Sequence, residues 1–357
     1  MDTNIRPARR AAALFLGGLV LVAHATAGEL PRVHVLATGG TIAGSQSDAA
    51  GHAYVAGKLD VGTLIGAVPN LGAVAVLTGE QVVSIGSQDM NDLVWLELAR
   101  RVESALARTD VDAVLITHGT DTLEETSYFL GLVTKSAKPV VMVGAVRPAT
   151  SVSADGPGNL LDGVAVAVDP RARGRGVLVC MNDEIHYARN VVKTDTTRLQ
   201  TFRSLNRGPA GLAHTGRIDW YEPMDRKVGA ASEFSITGLT ALPRVDVVYA
   251  HAGMDADLIE AAIRNGARGI VVAGVGDGNM SAAALDVLAR AARNGVAVVR
   301  STRLPMGIVL RNSEVDDDRL GFVASGELNP AKSRVLLQLA LTRTTDPARI
   351  QQMFDEY

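Results

Sequence analysis

Short, almost wholly apolar runs alternate with longer stretches of helical period along most of this chain. VHVLAT (33–38), DAVLITHG (112–119), PVVMVGA (139–145) and GVLVCMN (176–182) are four such runs. A strand that is apolar throughout needs cover on both faces, which is the condition of a parallel sheet flanked by helices. Between the runs, NDLVWLELARRVESALAR (91–108) sets Leu96, Ala99, Val102 and Leu106 on one helical stripe, with Ser87 or Asp89 as start signals. LEETSYFLGLVTKSA (123–137) reads as a second helix. AVAVLTGEQVVSI (73–85) reads as a pair of strands about a turn at Gly79-Glu80.

From about Trp220 to Pro243 the periodicity fades into a mixed polar stretch with prolines near each end, which reads as a linker over 221–243. The alternation then resumes: VDVVYA (245–250), a helix over 255–265, GIVVAGVG (269–276), a helix over 281–294 and VAVVRSTR (296–303). Two more helices are expected near 331–342 and 346–355. The expected fold is α/β with two lobes. A larger N-terminal domain over 28–220 holds a mostly parallel sheet, and a smaller C-terminal α/β domain covers 244–357. A chain of 357 residues is long enough for two such cores. The first 27 residues stand apart. Arg6, Arg9 and Arg10 precede the short apolar stretch AAALFLGGLVLVAHA, and Ala25-Thr26-Ala27 has the small-x-small form of a cleavage site. That pattern predicts a signal peptide over 1–27, export to the periplasm and no membrane attachment after cleavage.

Composition removes several function classes. Net charge is −3 and aromatics are 4% of the chain, with no basic run, so clustered cations interleaved with stacking rings are absent and no nucleic-acid partner is expected. Cys180 is the only cysteine, so no internal disulfide forms. It sits in an apolar run, where a buried inert thiol is expected. The seven histidines are scattered, and neither C-x-x-C nor H-E-x-x-H spacing occurs, so no metal or cofactor is expected.

In open α/β sheets ligands sit at the carboxyl ends of the strands. Here those loops are TGGTIAG (38–44), THGTDT (117–122), GAVRPATSVSADGPGN (144–159) and MNDEIHYARNVVKTDTT (181–197), rich in Thr, Asp, Gly and Lys. The first has the look of a phosphate cradle but lacks the lysine such loops carry. The second can be read as a helix cap, with Thr or Asp capping, Glu124 or Glu125 closing a capping box, and His118 a satisfied polar residue at a strand end. Set side by side, the two loops each place a threonine next to glycine. A threonine hydroxyl needs a nearby base to become a nucleophile, and Asp121, the Tyr54 phenol and the Lys193 amine are the candidates. Glycines beside the hydroxyls admit backbone N–H groups to an oxyanion. That inventory suits amide hydrolysis without metal or cofactor.

ATGGTIAG and ITHGTDTLEETSYFL closely resemble the two signature segments of the bacterial type II L-asparaginases and their glutaminase-asparaginase relatives. The resemblance continues in order through YVAGKLDVGTLIGAVPNL, GEQVVSIGSQDMND, KPVVMVGAVRPATSVSADGPGNL, GVLVCMND, VVKTDTT, AGVGDGN and VDDDRLGFVASGELNPAKSRVLLQLALT, nearly the whole chain beyond the signal segment. It implies Thr41 as nucleophile on a mobile loop, assisted by Tyr54. It implies Thr120, Asp121 and Lys193 as a second, rigid set that polarises an attacking hydroxyl or water. Ser87, Gln88 and Asp121 match the residues that hold the substrate's α-carboxylate and α-amino groups. Asn279 and Glu314 match contributions from a neighbouring subunit, so a homotetramer is implied. The disulfide of some exported relatives maps to Arg108 and Ser136 and is absent here. VVYAHAGMD differs from the asparagine-rich version of several relatives. MGIVLRNSE leans toward the glutaminase-asparaginases and GSQDMND toward the asparagine-selective enzymes.

The expected activity is hydrolysis of L-asparagine to L-aspartate and ammonia, with L-glutamine as a further candidate substrate. The alternative from another class is a periplasmic solute-binding protein for a small amino acid, since export, two lobes and a linker suit a ligand clamp. A binder has no need of threonine–glycine pairs beside Thr120, Asp121 and Lys193.

Overall fold

Eight strands form the first sheet of the computed structural model, which describes residues 29–46, 53–221 and 223–357. The signal segment expected over 1–27 lies outside the described residues. In chain order the strands are β1 (Arg32–Gly39), β2 (Val76–Ile85), β3 (Ala113–Thr117), β4 (Val140–Val143), β5 (Val177–Met181), β6 (Glu184–Tyr187), β7 (Gly211–His214) and β8 (Arg217–Trp220). Their spatial order is β8-β7-β6-β5-β4-β3-β1-β2. The five strands from β2 to β5 run parallel, and β6, β7 and β8 extend the sheet as antiparallel ribbons. Every residue of β3, β4 and β5 is buried, as strands covered on both faces must be.

Helices α1 (Asp92–Ala107) and α2 (Leu123–Val133) cover one face, and α3 (Gly156–Val168) covers the other. The stripe Leu96, Ala99, Val102 and Leu106 faces the core, but the cap of α1 is Asn91, whose Oδ1 accepts the N–H groups of Leu93 and Val94 at 3.1 and 3.2 Å. Trp95 of α1 stacks on Phe129 of α2 with ring centroids 5.2 Å apart, locking the two helices together.

The strand pair expected over 73–85 is instead the single strand β2. Gly79 lies opposite Val35 and Glu80 opposite Leu36 in a parallel register with β1 that runs evenly from Arg32↔Val76 to Ala37↔Gln81 and shifts only beyond it. Gly79 serves packing and makes no turn: a Cβ there would come within 2.7 Å of Val61 Cγ2, on the short helix Val61–Gly66.

The second sheet is wholly parallel: β9 (Val245–Tyr249), β10 (Gly269–Gly274), β11 (Ala297–Thr302) and β12 (Phe322–Ala324), side by side in that order. Helices α4 (Asp257–Arg264) and α5 (Ala282–Arg293) bury their apolar stripes against one face. Helices α6 (Pro330–Ala340) and α7 (Pro347–Glu356) pack on the other face. Val335, Leu336, Leu337 and Leu339 of α6 belong to the same apolar cluster as Phe129 and Leu130 of α2, so the two lobes share a core. Between the sheets, Phe234, Ile236 and Leu242 are buried in that cluster.

Lys138 gathers the corner that holds Arg108 and Ser136. Its Nζ donates to the carbonyl oxygens of Leu106, Arg108 and Val111 at 2.8, 2.6 and 2.6 Å, and its backbone N–H donates to Ser136 Oγ. One ammonium thus satisfies the carbonyls where α1 ends and the chain turns into β3. Lys138→Met should lower unfolding stability by about 1–3 kcal/mol, through those carbonyls left without a charged donor, while leaving catalytic constants unchanged. Urea denaturation followed by circular dichroism, set beside steady-state kinetics, checks both halves.

Candidate active site

Three strand ends meet where Gly40, Gly119 and Ser87 touch. Gly40 follows β1 with φ +77° and lies so close to the β3 loop that a Cβ on it would stand 2.3 Å from Gly119 Cα. A Cβ on Gly119 would in turn stand 2.6 Å from Ser87 Oγ, in the loop after β2. Only glycine allows both the backbone angle at 40 and the two approaches. Thr38 adds a tie, its hydroxyl donating to the Thr117 carbonyl at 2.9 Å.

Thr41 opens a short 3₁₀ turn directly after Gly40, and its side chain is almost enclosed. Its Oγ1 lies 2.8 Å from the Tyr54 hydroxyl. Tyr54 reaches it because Ser45–Gln46 and Tyr54–Val55 pair antiparallel, folding the loop back on itself. Residues 47–52, which join those two segments, lie outside the described residues.

Thr120 is equally enclosed, and Lys193 Nζ donates to its Oγ1 at 3.0 Å. The same ammonium pairs with Asp121 Oδ1 at 2.6 Å. Lys193 is held in a short ladder, Val192–Lys193 against Phe202–Arg203. The Lys193 side chain is 17% exposed and that of Asp121 58%, so the pair straddles the surface with its positive end inward.

Ser87 Oγ accepts the Asp121 N–H at 3.1 Å, and the Ser87 carbonyl accepts Thr122 Oγ1 at 2.8 Å. The helix-cap reading of this loop therefore fails. Thr122 occupies the cap position of α2, yet its hydroxyl makes no capping bond, because it is committed to Ser87. Gly40, Thr41, Tyr54, Ala56, Gly86, Ser87, Gln88, Gly119 and Asp121 enclose a cleft of about 160 Å³. Ala56 and Gly86 are the lining residues that sequence reasoning does not single out; small side chains at those points carry no signal of their own.

Asn279 and Glu314 do not join this cleft. They pair with each other on the second lobe, Asn279 Nδ2 donating to Glu314 Oε2 at 2.7 Å. Their loops are tied beneath by Arg300, fully buried, which forks onto Asp317 at 2.7 Å twice and donates to the carbonyls of Asp277 and Leu310. Among the described residues no cluster of three or more His, Cys, Asp and Glu is placed to hold a metal ion, and no helix is long and apolar enough to cross a membrane.

The family model for the N-terminal asparaginase domain matches residues 32–226, and that for the glutaminase/asparaginase C-terminal domain matches 244–354. The chain is 52% identical to a probable periplasmic L-asparaginase of Haemophilus influenzae over 94% of its length and 96% of the relative's. It is 51% identical to L-asparaginase 2 of Escherichia coli, over 96% of this chain and 98% of that one. A glutaminase-asparaginase of Pseudomonas fluorescens is 43% identical over 92% and 91%.

His118, in the loop after β3, is fully buried, and its Nδ1 lies 2.7 Å from the Gly119 carbonyl. Burial pushes its imidazole down from 6.5 to about 4, and burial does the same to His186. The folded chain keeps both rings neutral at pH values where the unfolded chain takes up a proton, so their share of stability is whole above about pH 6.5. It is lost as pH falls toward 4, by at most about 3 kcal/mol for each ring. Burial raises the carboxyls of Glu103, Glu125 and Glu184 and opposes this at the acid end. Denaturation midpoints should fall between pH 6.5 and 5 in the parent, and the fall should be shallower in a His118→Gln/His186→Gln double variant.

Proposed function

The chain belongs to the asparaginase family, and on that premise we propose that it is an L-asparaginase: it hydrolyses the side-chain amide of L-asparagine to L-aspartate and ammonia, with L-glutamine as a second substrate. The observation that carries this reading is a pair of almost buried threonine hydroxyls on adjoining strand-end loops, each with its own partner, Thr41 with Tyr54 and Thr120 with Lys193.

Thr41 Oγ1 attacks the amide carbon as its proton moves toward the Tyr54 oxygen 2.8 Å away. The former carbonyl oxygen takes up negative charge, which backbone N–H groups beside the loop glycines stabilise. Collapse of this intermediate breaks the C–N bond. Ammonia leaves with the proton taken from Thr41, and a threonyl ester remains. A water aligned by Thr120, with Lys193 and Asp121 behind it, attacks the ester and returns a proton to Thr41. Ser87, Gln88 and Asp121 hold the substrate's α-carboxylate and α-amino groups. A two-hydroxyl site of this kind lowers the barrier chiefly by positioning and electrostatics, which fits a reaction that uses no metal or cofactor.

We further propose that Asn279 and Glu314 act on the amino-group end of a substrate bound to a second copy, within a homotetramer, and that the protein is exported to the periplasm with residues 1–27 as its signal peptide. The name of the Haemophilus influenzae relative supports export. We also propose a division into domains over 28–220 and 244–357 joined by a linker over 221–243; the two family models extend over 32–226 and 244–354. The solute-binding alternative is set aside, because the relatives are named for hydrolysis and a binder gains nothing from two partnered threonines.

Purified protein given L-asparagine should release ammonia. Thr41→Ala and Thr120→Ala should each lower kcat by about 10³-fold or more. Full turnover in both single variants would sink the two-threonine scheme, and asparagine binding without ammonia release would restore the solute-binding reading. L-Glutamine run in parallel measures the second activity.

A further inference from the structure

Lys332 stands in the first turn of α6, on the second lobe, and is 1% exposed. Its ammonium donates to the carbonyl oxygens of Arg189, at 3.0 Å, and Val191, and lies 3.6 Å from Glu124 Oε2. The two carbonyls accept hydrogen bonds from the ammonium, and the Glu124 carboxylate completes its surroundings as an ion pair. Burial pushes its titration down to about 8, with Glu124 pulling the other way, and the charged form is the one held at neutral pH.

The placement of these three groups is what matters. Val191 precedes Lys193 by two residues, and Arg189 by four. Glu124 lies in the first turn of α2, directly after the Thr120-Asp121-Thr122 loop. Asn329, the cap of α6, closes the cluster: its Nδ2 donates to Glu124 Oε2 at 3.0 Å and its Oδ1 accepts the Lys332 backbone N–H at 2.9 Å. One buried cation from the second lobe therefore spans the two segments that carry Lys193 on one side and Thr120 with Asp121 on the other. It is not among the residues that line the cleft.

An apolar side chain of equal length would fill this space without the desolvation cost of a charge, and buried charges are commonly neutral or unfavourable for stability against such a replacement. Packing alone does not account for a lysine here; a fixed spacing between two loops does. We infer that Lys332, braced by Glu124, is a positioning residue for the amide hydrolysis, holding Lys193 in hydrogen-bond register with Thr120 and Asp121 from beneath. This rests on the reading that those three residues drive turnover. Among the groups assigned to substrate binding, Asp121 has a backbone anchor apart from Lys332: its N–H donates to Ser87 Oγ.

Steady-state kinetics on L-asparagine test this, with kcat corrected for the folded fraction measured by circular dichroism. Lys332→Met should lower kcat by about tenfold to a hundredfold while KM stays within about threefold, because displacement of a catalytic group by a fraction of an ångström acts on the chemical step. Glu124→Gln keeps shape and hydrogen bonding but removes the bracing charge, and should show the same split with a smaller loss. An unchanged kcat per folded molecule in Lys332→Met overturns the inference, as does a rise in KM that matches the fall in kcat. Should Lys332→Met fail to fold, an unaltered kcat in Glu124→Gln overturns it. A parent protein that releases no ammonia from asparagine would instead overturn the functional reading beneath it.

Discussion

The contact between Gly40 and Gly119 is the constraint on which the site depends. Parallel strands such as β1 and β3 deliver their following loops to the same end of a sheet, but side chains would normally hold those loops apart. With no Cβ on either residue, the backbones meet, and Thr41 and Asp121 come to line a single cleft. Ser87 completes the junction by accepting an N–H from one loop while its own carbonyl takes the hydroxyl of Thr122. Two threonine hydroxyls there each gain a partner that neither loop supplies from its own signature segment.

The second lobe does more than cover the first. Its α6 contributes leucines to the cluster that α2 also fills, so the helix that begins at the Thr120–Thr122 loop is packed by both lobes. Within the second lobe, the doubly hydrogen-bonded Arg300–Asp317 pair holds the carbonyls of Asp277 and Leu310, and so steadies the loops bearing Asn279 and Glu314. Buried cations recur at these junctions. Each gathers backbone carbonyls that would otherwise be stranded where a strand or helix gives way to a loop.

Much of this was legible in the residues, for reasons that differ by element. The central strands are apolar throughout because they are covered on both faces, and no other local pattern competes with that. Helix α1 shows its stripe plainly. Helix α3 does not, since Gly156, Gly158 and Gly163 dilute it; at Gly163 a Cβ would strike Val143 Cγ1 at 2.5 Å, so sheet packing overrides helix propensity. The antiparallel edge strands are four residues each and half exposed, too short to carry a period. Thr122 misleads as a cap because a partner 35 residues away wins its hydroxyl. The threonines, Asp121 and Lys193 stand out through motifs, but the 3.0 Å link between Lys193 and Thr120 spans 73 residues of chain, and no spacing rule reaches that far.

Lys138 and Cys180 together have a consequence for how this molecule reaches its native state. The corner between α1 and β3 is gathered by an ammonium and three carbonyls, and the sole thiol is sealed inside the sheet. Folding therefore calls for no oxidant, no disulfide isomerase and no choice among bridge pairings. The same structure is open to the chain in a reducing medium as in an oxidising one, and reductants leave the finished fold without a bond to break.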